Sequence, residues 1–446
     1  MGYWYEEAVF YSIYALSQCG APFQNEYLSN CNRLWEIEKW IPQMKSLGCN
    51  ALLLSPVFKS KTHGYDTTDY FHIDNRIGEN EGFKDLVSKF HSEGIKVVLD
   101  GVFNHCGRDF AAFRDVCEKR EGSAFKNWIS GINFQRNNAL NDGFSYDSWN
   151  GYLELVKLNL KNPEVVKHLL DAAKYWTAEF DIDGLRLDCA DILDFGFMKL
   201  LREQAEKLKP DFWLMGEVVH GDYNKWANPN ALHSATNYEM FKSLHSSHND
   251  RNLYELAHTL DREFGPGGLY REKYLYNFAE NHDQNRLASM VEIPAYLYTI
   301  YMLLFTIPGI PSIYYGGEWG IRGKRENGSD AGIRPCIELE SAHRDEPELE
   351  GVIKHLAEIR KSSQALMHGS YRQVFLEYGK PFAFERSFGD ETVIIAVNPT
   401  KNPAEINLGK RGATFMDLMN NEAVAANWQG NLPVSPHWGR ILRACP

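Results

Sequence analysis

The sequence predicts an α/β chain: a parallel (β/α)₈ TIM barrel, a domain inserted after its third strand, and a C-terminal antiparallel β-sandwich. Three observations carry that expectation. Eight short apolar runs alternate with amphipathic stretches over roughly the first 360 residues, the pattern of a parallel sheet built from strand–helix units. The interval from Asn104 to Asn159 is polar, aromatic and glycine-bearing, and too long for an ordinary loop. After about residue 370 the period becomes alternation, as in Phe382-Ala383-Phe384 and Thr392–Val397, with turns such as Phe388-Gly389-Asp390, which reads as antiparallel strands. The expected boundaries are 1–103 and 160–365 for the barrel, 104–159 for the inserted domain, and 366–446 for the C-terminal domain. A doubly wound sheet is the alternative for the first set of elements.

The eight expected strands are Val9–Tyr14, Ala51–Leu54, Lys96–Leu99, Gly184–Leu187, Trp213–Met215, Ser234–Asn237, Tyr274–Phe278 and Ser312–Tyr315. Between the first two, Leu34, Ile37, Ile41, Met44 and Leu47 recur at helical spacing, and Gly48 follows as a stop signal. Asn162-Pro163 opens another helix, Asn as cap and Pro at the first helical position. Its predicted apolar face is Val166, Leu169, Leu170, Ala173, Trp176 and Phe180. The most apolar window, Ala295 to Pro311, is broken by Thr299, Thr306, Pro308 and Gly309. It falls short of the roughly 18 uninterrupted apolar residues that a membrane span needs, and reads as a buried helix running into a strand.

Composition narrows the function. With 47 Lys plus Arg against 59 Asp plus Glu, the net charge of −12 disfavours a nucleic-acid partner, which needs clustered positive charge. Aromatic residues at 13% suit a protein that stacks rings on a ligand, although most such rings serve the core. The eight cysteines, at 19, 31, 49, 106, 117, 189, 336 and 445, form no CxxC pair. Scattered thiols in a long chain point to a reducing compartment, and Met1 to Glu7 has no basic run of a secretory signal. The expectation is therefore a cytoplasmic protein with no membrane partner. Gly265-Pro-Gly-Gly268 lacks the following Lys-Ser/Thr of a phosphate loop and is read as a flexible loop.

The chemistry is expected where barrel strands end. The third run ends in Asp100-Gly-Val-Phe-Asn104-His105, the fourth in Arg186-Leu-Asp188, the fifth in Gly216-Glu217, and the seventh leads to Asn281-His282-Asp283. Arg186 and Asp188, two apart on a strand, point to one face, and an Arg beside an Asp favours the ionised carboxylate that suits a nucleophile. A solvated cap or ion pair explains any one of these residues. Their recurrence at successive strand ends favours chemistry, and two carboxylates with different tasks are what glycoside hydrolysis requires.

The blocks Asp100-Gly-Val-Phe-Asn-His105, Gly184-Leu-Arg-Leu-Asp188, Gly216-Glu217-Val and Phe278-Ala-Glu-Asn-His-Asp283 together resemble the four short motifs of the α-amylase family of glycoside hydrolases (family 13). His63-Gly-Tyr-Asp66, Leu155-Val-Lys-Leu-Asn159 and Pro308-Gly-Ile-Pro-Ser-Ile-Tyr-Tyr-Gly316 extend the resemblance over nearly the whole chain. The resemblance implies Asp188 as nucleophile, Glu217 as general acid/base with a raised pKa, and Asp283 as the acid that grips the sugar 2- and 3-hydroxyls. It implies that Arg186 orients Asp188, that His105 and His282 bond sugar hydroxyls, and that Tyr65 stacks on the sugar with His63 nearby. Asp100 and Asn104 are implied as structural support.

Leu155-Val-Lys-Leu-Asn159 is similar to the variant of the neopullulanase, maltogenic amylase and cyclomaltodextrinase branch. The N-terminal β domain usual in that branch is not expected, since the first strand begins near Val9, and no oligomeric state is assigned. Cys189 stands where relatives commonly have Val or Ala; on its own it reads as a buried packed thiol, leaving linkage preference open. Asn104 and Asn159 resemble two ligands of the family's structural calcium, but Asp191-Ile192 replaces the usual Lys-His pair. No cofactor is required, and calcium is a weak expectation because it prefers several charged oxygens. Trp149, Tyr152, Tyr223 and Trp226 are candidate stacking platforms; no inference is drawn from Gly317-Glu318-Trp319. The expected activity is retaining hydrolysis of α-1,4, with some α-1,6, bonds in maltodextrin-type oligosaccharides, with transglycosylation as a side reaction. The alternatives are a disaccharide specialist (α-glucosidase, trehalose hydrolase, isomerase or sucrose-type phosphorylase) and a non-catalytic carbohydrate-binding relative.

Overall fold

Alternation along each apolar run decides which side chains fill the barrel and which meet the helices. The computed structural model describes residues 2–28, 31–326 and 328–444; Cys445 lies outside them. The barrel strands are β1 (Phe10–Ile13), β2 (Ala51–Leu54), β3 (Lys96–Gly101), β4 (Gly184–Leu187), β5 (Trp213–Gly216), β6 (Ser234–Ala235), β7 (Tyr276–Phe278) and β8 (Ile310–Tyr314). Their order in the sheet is β6-β5-β4-β3-β2-β1-β8-β7. Every pairing is parallel, and a Thr236–Tyr276 bridge joins the two ends. The doubly wound alternative is thereby excluded.

Phe10, Ala51, Leu53, Val98, Trp213, Met215, Tyr276, Phe278 and Ile310 pack together inside the barrel. Their neighbours Leu52, Leu54, Val97, Leu99, Leu185, Leu187 and Leu214 pack outward among the helices. Asp100 shares the parity of Val98, and Arg186 pairs in register with Asp100 on one side and Met215 on the other. The period of two that buries the core thus also turns the polar residues inward at the strand ends. Gly184 leaves room for this packing: a Cβ there would lie 2.5 Å from the Trp213 carbonyl oxygen.

The helix Pro163–Phe180 starts as expected, with the Asn162 side chain accepting the Glu164 amide, a cap worth about 1 kcal/mol. Its buried face is Val165, Leu169, Ala172, Ala173, Trp176 and Phe180. Val166 and Leu170 only flank the core, so the expected stripe was rotated at its first turn. The single expected helix around Ile37 and Met44 is two short ones, Trp35–Glu38 and Ile41–Ser46.

Between β3 and β4 lies a three-stranded antiparallel sheet in the order His105–Gly107, Tyr152–Lys157, Ser148–Trp149. At the C-terminal end, six strands form an antiparallel sheet and two more, Ala404–Asn407 and Asn431–Val434, pair beside it. In Glu391–Asn398 of that sheet, Val393, Ile395 and Val397 join the main core. Ile394 and Ala396 face the second sheet through Ile406, Leu432 and Val434. No helix among the described residues is long and apolar enough to cross a membrane.

Two buried acids lie within this frame. The Glu263 Oε2 accepts the Asn237 amide at 2.9 Å, and the Glu318 Oε1 accepts the Tyr11 hydroxyl at 2.6 Å. Burial raises each to about 7. An acid raised in the native state keeps a proton that the unfolded chain releases, so stability falls as pH rises from the ordinary value of 4.5 through 7. Glu263→Gln should therefore gain on the wild type by about 1–3 kcal/mol between pH 5 and pH 8 in urea unfolding. An equal loss at both pH values would contradict this origin.

Candidate active site

The ends of β3, β4 and β5 are fastened to one another through the main chain of the acids themselves. The Asp188 amide donates to the Gly101 carbonyl at 3.1 Å, and the Glu217 amide to the Leu187 carbonyl at 2.9 Å. The loop after β3 is held by the buried Tyr70 hydroxyl, which donates to the carbonyls of Val102 (2.9 Å) and His105 (3.2 Å).

Arg186 stands at the centre. Its Nη1 donates to both Asp100 oxygens, at 2.8 and 2.6 Å, and reaches Asp188 Oδ1 at 3.3 Å. Its Nη2 lies 2.8 Å from Glu217 Oε1. All four side chains are buried. Burial works against the Arg186 charge, but Asp100 and Glu217 outweigh it and hold its pKa high. Arg186 was expected to orient Asp188 and keep it ionised, and Asp100 to hold Arg186 or the loop. In the structure its closest contacts go to Asp100 and Glu217, and burial with the Glu217 charge pushes Asp188 well above the usual carboxylate range. The reason is that one cation is divided among three acids.

Asp283 has a different environment. Burial alone would raise it, but His282 (Nε2 to Oδ2, 2.9 Å) and Arg334 (Nη2 to Oδ1, 3.0 Å) hold it well below the usual range. The His282 ring also meets the Tyr65 hydroxyl at 2.6 Å and stacks on the Tyr65 ring at a centroid distance of 5.6 Å. Tyr65 donates to Asp100 Oδ2 at 2.9 Å, which ties this pair to the Arg186 cluster. His63 accepts the Tyr65 amide at Nδ1 (3.2 Å) and is one-third exposed. His105 is buried with its Nε2 unpartnered among the described residues, 4.0 Å from Asp188 Oδ2. Burial lowers it to about 3, so its ring is neutral.

The sequence reading missed three contributors. Arg334 donates to the His282 carbonyl and the Tyr14 hydroxyl as well as to Asp283; it lies in an irregular segment with no periodic signal. Tyr238 follows β6 and its hydroxyl lies 3.3 Å from Glu217 Oε1; the rule that strand ends carry chemistry could have found it. Cys189 is not a merely packed thiol. It adopts φ 50°, which turns its amide to Glu217 Oε2 and its Sγ to Asp188 Oδ2, both at 3.1 Å.

Trp149 and Tyr152 form an aromatic shelf (5.9 Å, 21°), and Trp149 lies 6.0 Å from the His105 ring. Tyr223 and Trp226 do not join it: both are buried, against Tyr270 and Phe195 respectively, because their loop folds back onto the barrel. Of the calcium candidates, Asn104 Nδ2 meets His105 Nδ1, while Asn159 donates to the Asn127 carbonyl and accepts the Lys161 amide.

Residues 23–346 match the family described as alpha amylase, catalytic domain, and residues 374–441 that described as maltogenic amylase, C-terminal domain. A cyclomaltodextrinase of Geobacillus thermopakistaniensis (strain MAS1) is 32% identical over 410 residues, which are 90% of this chain and 68% of that protein. The intracellular maltogenic amylase of Bacillus subtilis (strain 168) is 32% identical over 363 residues, 80% of this chain and 60% of that one. The chain thus spans about two thirds of the length of these relatives. The solved cyclic alpha-maltosyl-(1→6)-maltose hydrolase from Arthrobacter globiformis is 27% identical, with a TM-score of 0.80. That match covers 98% of this chain and 100% of the other.

Two outcomes follow from the geometry. Arg186→Met should cost about 3 kcal/mol or more in urea unfolding, since three buried acids lose their cation; a neutral effect would show that the cluster does not depend on it. Tyr152→Ala should raise KM for maltotriose about 2- to 10-fold with kcat unchanged; an unchanged KM would remove the shelf from the substrate path.

Proposed function

We propose a function on the premise that this chain belongs to the α-amylase family, whose catalytic domain it matches over residues 23–346. It is an α-glycosidase that hydrolyses α-1,4 and α-1,6 bonds of maltodextrin-type oligosaccharides, with retention of configuration. The observation that carries this reading is the gathering of Asp188, Glu217 and Asp283, from three strand ends, around Arg186 and His282. The relatives named cyclomaltodextrinase and maltogenic amylase support the substrate class. The seven described cysteines are free, and one relative is named intracellular; both support a place in the cytoplasm.

In the proposed mechanism Asp188 attacks the anomeric carbon while Glu217 protonates the departing glycosidic oxygen. Turnover requires the proton on Glu217 and the charge on Asp188. The resulting β-glycosyl ester is then hydrolysed by water, or transferred to a sugar, with Glu217 acting as base. Asp283, held ionised by His282 and Arg334, takes the sugar 2- and 3-hydroxyls as positive charge develops on the ring. The unpartnered His105 Nε2 offers a hydrogen bond to a sugar hydroxyl, His282 a second, and the Tyr65 ring a stacking face beside His63.

Proton NMR of the purified protein with maltotriose should show the α-anomer of the product first, and Asp188→Asn should be silent. A β-anomer first would exclude double displacement. Absence of turnover on maltotriose, with glucose release from a single disaccharide, would instead identify the narrow specialist. Because burial and Glu217 raise Asp188, activity is lost on acidification through its raised pKa. The acidic limb of kcat/KM should therefore lie above the ordinary aspartate value of about 3.9; a limb below it would contradict the crowded cluster.

A further inference from the structure

We propose that His105, Asp188 and Cys189 form a binding site for a borderline-soft divalent metal ion such as Zn²⁺, beside the catalytic acids. One donor atom from each, Nε2, a carboxylate oxygen and Sγ, all lie within 4.8 Å of one another. The Sγ is 3.1 Å from Asp188 Oδ2, and His105 Nε2 is 4.0 Å from the same oxygen. A tetrahedral ion with bonds of about 2.0–2.3 Å holds its ligand atoms about 3.5 Å apart, so small side-chain rotations close the set. Nitrogen, oxygen and sulfur together are the donors that zinc takes, whereas calcium and magnesium prefer oxygen alone.

The surroundings fit a cation. His105 Nε2 is buried at 2% side-chain exposure and unpartnered among the described residues, with Asn104 against its Nδ1. Arg186 approaches the other Asp188 oxygen, Oδ1, and leaves Oδ2 to the thiol and imidazole. Glu217 Oε2 accepts the Cys189 amide and steadies that residue. On binding, the Cys189 S–H bond breaks, its proton goes to solvent, and a sulfur–metal bond forms with no change of oxidation state. The ion occupies Asp188 Oδ2, so it stops the hydrolysis proposed above; that consequence rests on the proposed role of Asp188, while binding does not.

Titration of the purified full chain with Co²⁺, in metal-free buffer, tests the site. One Co²⁺ per chain should bind with a thiolate-to-metal charge-transfer band that Zn²⁺ displaces, and Cys189→Ser and His105→Gln should each lose that band. Zn²⁺ should inhibit maltotriose hydrolysis, at least about tenfold more weakly in Cys189→Ser than in the wild type, each measured against its own metal-free rate. Absence of the band in the wild type, or its persistence in Cys189→Ser, overturns the site. A band with full retention of hydrolysis keeps the metal site and removes Asp188 from the reaction.

Discussion

One guanidinium shared among three buried carboxylates is the constraint on which the catalytic end of this molecule depends. Arg186 Nη1 and Nη2 reach Asp100, Asp188 and Glu217, and these acids come from the ends of three adjacent parallel strands. A buried charge without a partner is costly enough to shift or abolish itself. The three acids can therefore sit at one rim only because the arginine is there. The arginine in turn can be buried only because the acids are. Neighbouring strands in register deliver the groups to the same height.

A second ion network beside the first repeats the principle. Arg334 holds Asp283 and donates to the hydroxyl of Tyr14, and Tyr65 joins the two networks through Asp100 and His282. Asp188 and Asp283 thus sit in opposite electrostatic environments. Crowding raises Asp188, whereas His282 and Arg334 lower Asp283.

Much of this was legible in the sequence, for reasons that can be named. All eight barrel strands announce themselves because a buried parallel strand needs a short β-rich apolar run, and Asp100, Arg186, Asp188 and Glu217 fall at the ends of such runs. Helical stripes were less secure: Val165 rather than Val166 is buried, since a few residues of a broad apolar face do not fix its centre. Loops were least legible. Arg334 reaches Asp283 from an irregular segment, and Tyr223 and Trp226 turn inward, because nothing local in a loop states which way it folds. Cys189 was undervalued for the same reason, its left-handed backbone being a property of the turn after β4.

The proposed nucleophile is the hinge of the functional account, and it can be located chemically. Incubation with a fluorinated α-glucosyl fluoride that accumulates the glycosyl–enzyme, followed by proteolysis and mass spectrometry, would place the bond. The account predicts one glycosyl group per chain, on Asp188. A label on Glu217 or Asp283, or no label while the reagent is turned over, would contradict it.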